Sequence, residues 1–109
     1  MIRDAKLVSH GPRLLEELEA VLKAANLWSD IHLSPAALAS EQPFACDTLA
    51  FEQWLQFIFI PRIRALSDAG ALVPPMHILP MAEVTWQSSH QPVQQVLARF
   101  DRWSKQLHD

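Results

Sequence analysis

The chain has 109 residues, 50% of them hydrophobic and 19% charged, with a formal net charge of −3. That length gives one domain with its own core and leaves no room for a second, and the composition excludes a disordered chain. The acidic balance argues against unaided nucleic-acid binding, which expects a basic footprint.

The one cysteine, Cys46, excludes an internal disulfide and suits a reducing compartment. The opening segment from Met1 to Lys6 lacks the apolar core of a signal peptide. The longest strongly apolar run stops at Arg62, short of a membrane span. A cytoplasmic, membrane-free location is therefore expected.

In chain order, residues 1–11 read as an N-terminal arm or loose first turn, broken by Gly11-Pro12. Pro12 suits the first position of a helix. Leu14, Leu15, Leu18, Val21, Leu22 and Ala25 then follow the spacing of one amphipathic face. Asn26 is the expected end, with Leu27 and Trp28 folding back onto the core. Ser34 caps a short helical turn that opens at Pro35 and includes Leu38. Gln42-Pro43-Phe44 is expected to be extended, because the residue before proline avoids the helical region.

The stretch from Asp47 to Gly70 is the most apolar and aromatic, and reads as the helix on which the rest packs. Asp47 or Thr48 would cap it, and Gly70 would end it in a left-handed conformation. Counted from Phe51, the residues Trp54, Leu55, Ile58, Arg62, Ala65, Leu66 and Ala69 share one face at about 100° per residue. Phe57, Phe59, Ile60 and Ile63 fall outside that stripe. Pro61 cannot donate to the Phe57 carbonyl and crowds it, so a bend is expected there.

Val73-Pro74-Pro75 interrupts, Pro80 starts a short helix through Trp86, and Pro92 opens the last one. There Val93, Val96, Leu97, Phe100, Trp103 and Leu107 form the cleanest stripe. Gln94, Gln95, Arg99, Asp101, Arg102 and Lys105 are read as its outer side. The fold class is thus all-α: an irregular bundle of three long helices and two short ones around a central apolar helix.

Gln42-Pro43-Phe44, Asp47-Thr48-Leu49, Trp54-Leu55-Gln56-Phe57-Ile58 and Ile60-Pro61-Arg62 together resemble the YqcC-like family of small bacterial helical domains. Ile78, Pro80, Met81 and Glu83 are similar to its second block, and Leu15 to Trp28 to its first helix. The resemblance spans about residues 13–107, which makes residues 1–109 a single YqcC-like domain. It implies an all-helical fold and, through genes that lie beside one for a transfer-RNA pseudouridine synthase, an accessory role in RNA modification. It carries over no catalytic residue.

The residues themselves offer no catalytic apparatus. His10, His32, His77, His90 and His108 lack metal-ligand spacing, and no glycine-rich phosphate loop or nucleophile elbow occurs, so neither a metal nor a cofactor is expected. Asp47 and Glu83 read as helix-start acids, with a carboxylate pair for acid–base work as the other reading. Arg62, mid-stripe, should be buried and paired with Asp47 or Glu83. Cys46 reads as inert packing. The four tryptophans read as core, any exposed one being a partner anchor.

Two functions stay open. One is a non-enzymatic interaction module whose partner is a protein such as a tRNA pseudouridine synthase, or a second copy of the chain, with RNA contact indirect or weak. Its surface would be Phe57 and Ile60 bordered by Gln53, Gln56 and Arg64, or failing that the outer face around Arg99 and Arg102. The other is a small enzyme or ligand-binding protein with a pocket around Asp47, Arg62, Glu83 and Trp86.

Overall fold

A computed structural model describes residues 5–46 and 48–108. Helices α1 (Ala5–Ala24), α2 (Pro35–Leu38), α3 (Phe51–Trp54), α4 (Ile60–Asp68), α5 (Leu79–Trp86) and α6 (Gln91–Gln106) follow one another. A five-residue π turn, Leu55–Phe59, joins α3 to α4, so residues 51–68 form one central helix. No strand occurs among the described residues. α1 packs against α6 and α4, and α5 against α6. The architecture is the expected all-α bundle: three long helical elements and two short ones.

α1 starts earlier than expected. It runs through Pro12, which lies on its exposed side. An interior proline removes one helical hydrogen bond and strains the turn, but docking of an amphipathic face outweighs local propensity. Gly11 is the contact that secures this turn. It is buried, and a β-carbon there would stand 3.0 Å from Trp103 Cη2 on α6 and 3.3 Å from Ser67 Oγ on α4. The three long elements therefore meet at a residue without a side chain.

α1 ends as the sequence indicates. Asn26 takes a left-handed φ of 61°, and Leu27 N–H donates to the Leu22 carbonyl at 2.9 Å. Gly70, at φ 69°, closes the central helix the same way, with Ala71 N–H on the Leu66 carbonyl at 2.9 Å. Ser34 Oγ accepts from Ala37 N–H and Pro35 opens α2.

The central helix corrects the wheel. Pro61 has no N–H to give the Phe57 carbonyl its usual donor, and its ring crowds that carbonyl. The chain responds one turn earlier: Ile60 N–H donates to the Leu55 carbonyl, five residues back, which inserts an extra residue into the turn. Every later residue is thereby set back by about one residue, or 100°. Ile63 moves onto the stripe position expected for Arg62. Phe51, Leu55, Phe59, Ile60 and Ile63 form the buried face, whereas Arg62 and Ala65 are exposed. The distortion observed is a π turn over Leu55–Phe59, one turn before Pro61, and it reassigns the face.

Nor is Thr48 a cap. The central helix begins at Phe51, where Gln53 Oε1 accepts the Ala50 N–H at 2.9 Å. Thr48 Oγ1 donates instead to the Ala37 carbonyl at 2.8 Å, tying α2 to this loop. Asp47 lies outside the described residues, and its cap and cluster roles with it.

The stripe of α6 is buried as read. Two residues assigned to its outer side are not outside. Asp101 accepts from Ile78 N–H through both oxygens, at 2.8 and 2.9 Å, and from Leu79 N–H at 2.9 Å. Gln94 Nε2 donates to the carbonyls of Gln87 and Ser89, at 2.9 and 2.7 Å. Both are buried because they satisfy backbone groups of the neighbouring loops. Ser104 Oγ accepts from Met76 N–H at 2.7 Å, and His108 Nε2 donates to the Val73 carbonyl at 2.8 Å. α6 thus covers the core with one face and holds the proline-rich segment with the other.

Candidate docking groove

The rotation of the central helix turns Phe57, Ile58 and Arg62 away from the core and towards the segment around α2. Between them lies an open groove of about 450 Å³. Its walls are Leu38, Ser40, Gln42, Phe44 and Ala45 on one side, and Trp54, Phe57, Ile58 and Arg62 on the other. Phe57, Ile58, Phe44 and Trp54 are half-buried, while Leu38 and Arg62 are exposed. Arg62 is the only charged group in the described lining.

The wall opposite the helix is built against local preference. Gln42 is extended, as the residue before Pro43 should be, but Phe44 and Ala45 then take left-handed φ values of 56° and 51°. Such a conformation costs a non-glycine residue roughly 1–2 kcal/mol. Aromatic packing opposes that cost: the Phe44 ring stands edge-on to Trp54 at 4.9 Å and to Phe51 at 5.9 Å. The chain is therefore folded back so that Phe44 and Trp54 together form the groove floor. Strained backbone and π turns both concentrate at functional sites.

Gln56 fixes the far side of the helix. Its Oε1 accepts from Ser29 N–H at 2.8 Å and its Nε2 donates to the Ser29 carbonyl at 2.6 Å. The loop after α1 is pinned to the π turn by this reciprocal pair.

The expected site residues are thus dispersed. Arg62 is not buried, because the π turn carries it off the core face. Glu83 is exposed on α5, and neither it nor Trp86 lines the groove of Arg62. Trp86 packs at 5.2 Å on Phe51 and 5.4 Å on His90. Of the expected surface, Ile60 is core and Gln56 is internal. Gln53 is half-buried at the helix start. Arg64 faces α1, beside Pro12, Leu15 and Glu16. Phe57 alone of that set lines the groove. Cys46 is exposed, not packed. Leu38, Phe44, Trp54 and Ile58 were missing from the expected surface. The signal within reach was the pairing of an aromatic-rich helix with Pro43-Phe44, a turn followed at once by a large apolar residue.

No described helix is long and apolar enough to cross a membrane.

A family model, DUF446, described as tRNA pseudouridine synthase C, matches residues 12–105. The uncharacterized protein YqcC of Escherichia coli is 30% identical over 89 residues, covering 81% of this chain and 82% of that one. Its solution structure superposes with a TM-score of 0.81 at 26% identity, over 93% of this chain and 90% of the other. An uncharacterized protein of Haemophilus influenzae is 42% identical over 60 residues, 55% of this chain and 57% of that protein. A protein of Pectobacterium carotovorum named tRNA pseudouridine synthase C is 35% identical over 60 residues, which make up 16% of its length.

Proposed function

This chain belongs to the YqcC-like family, DUF446, and we propose that it is a non-enzymatic interaction module that docks a tRNA pseudouridine synthase. The groove is the observation that carries the docking role. Half-buried Phe57 and Ile58, with exposed Leu38, offer apolar contacts along a groove that Ser40 and Gln42 make partly polar, and Arg62 on the rim offers one charge. That pattern suits an amphipathic helix laid lengthwise, with an acidic residue placed to meet Arg62. The partner is suggested by the Pectobacterium protein. The matched segment is a small fraction of its length, so the bulk of a protein with that name lies outside the shared region.

The test is affinity capture of the tagged full chain co-expressed with a tRNA pseudouridine synthase from the same cell. The wild type should retain the synthase, and Phe57→Asp and Ile58→Asp should each lose it while circular dichroism and Tm stay close to wild type. Retention by both variants, or none by the wild type, overturns the reading.

A further inference from the structure

A second concavity lies where α1 meets α6. It has a volume of about 320 Å³, with His10 and Arg13 on the α1 side, Arg99, Arg102 and Gln106 on the α6 side, and Trp103 at its base. Arg99 and Arg102 are three residues apart on one helix, so their side chains share a face one turn apart. Arg13 approaches from across the cleft. Lys105, exposed and three residues beyond Arg102, prolongs the strip.

The charge distribution is therefore uneven. A chain of net charge −3 gathers three of its nine basic residues in one cleft whose described lining holds no carboxylate. Glu17 stands nearby and pairs with Arg99, which orients that guanidinium and neutralises part of the charge. All three lining cations are arginines. Their planar forks match phosphate oxygens in two-bond geometry, where lysine offers a point charge. Trp103 is only 4% exposed and packs beneath Gly11, so its face is not open to a stacked base.

We propose that the cleft between α1 and α6 binds the phosphate backbone of RNA, through Arg13, Arg102 and in part Arg99, without reading bases. The choice of RNA over an acidic protein rests on the synthase association proposed above, since an enzyme of transfer RNA brings such a polyanion to its module. The acidic remainder of the surface confines contact to this strip. Binding is consequently weak, independent of sequence and strongly dependent on salt.

The measurement is anisotropy of a labelled transfer-RNA transcript titrated with the full chain alone, at 50 and 200 mM salt. Two to three phosphate contacts give a logarithmic slope of about −2, a loss on the order of tenfold across that range. Arg13→Glu combined with Arg102→Glu should weaken binding by about tenfold or more at low salt. Arg64→Glu, on α4, should leave it near wild type, and the Trp103 indole and Gln106 amide resonances should shift on adding transcript. Equal loss in Arg64→Glu and the double variant shows diffuse charge and overturns the site. Polyglutamate binding lost in the double variant, with no binding of transcript, overturns RNA as the ligand. The synthase is absent from this assay, so loss of RNA binding leaves the groove standing, and loss of co-purification leaves the cleft standing.

Discussion

Asp101 and Ile78 are joined by two hydrogen bonds: the Ile78 N–H points between both carboxylate oxygens, at 2.8 and 2.9 Å. A side chain of α6 thereby supplies the N-terminal cap that α5 lacks in its own sequence, since Leu79 N–H donates to the same carboxylate. Charge-assisted bonds of this kind contribute about 1.5–3 kcal/mol, and the donors are left buried when the acceptor goes. Asp101→Ala should therefore lower unfolding free energy by about 2–3 kcal/mol in a urea titration. Asp101→Asn keeps an acceptor oxygen and should lose less. Equal losses in the two would count against the cap.

Gln56 predicts a finer distinction. It both donates to and accepts from the Ser29 backbone. Gln56→Glu keeps the acceptor, loses the donor, and sets a carboxylate against the Ser29 carbonyl. It should cost about 1–3 kcal/mol, comparable to Gln56→Leu despite the closer shape. Amide exchange at Ser29 should accelerate in Gln56→Leu, and an unchanged rate would show that the loop is held by other contacts.

Arg62 predicts the reverse of a buried ion pair. Exposed on the groove rim, it should tolerate Arg62→Ala within about 0.5 kcal/mol of stability, as surface positions do. Its effect should appear in synthase capture, weakened most at low salt. A fall in Tm of many degrees would restore a structural role.

What the sequence made legible was whatever depends on local spacing. The stripe of α6, the Asn26 and Gly70 ends and the Ser34-Pro35 start were all readable, because each is decided within one or two turns of chain. The candidate site was not, and Arg62 shows why. A wheel assumes 3.6 residues per turn throughout, whereas Pro61 forces one wide turn ahead of itself, so Ile63 takes the buried place and Arg62 leaves it. Asp101 and Gln94 were misplaced for a different reason. Polar residues beside an apolar stripe look solvated until the loops whose backbone they satisfy are in position. Phe44 adds a third case, since nothing in its neighbours dictates a left-handed phenylalanine. Only the ring contacts with Phe51 and Trp54 do.

Gly11 has a consequence for the charges on either side of it. Trp103 lies against its bare α-carbon, two residues before Arg13, and Arg102 directly precedes that ring in sequence. The separation of α1 from α6 is therefore gauged by the reach of the indole's benzene edge to Gly11, not by the arginines beside it. Those arginines repel one another, and the repulsion is only partly screened at ordinary ionic strength. Ring against backbone holds the two helices together regardless, and the Glu17 carboxylate on Arg99 relieves part of the repulsion.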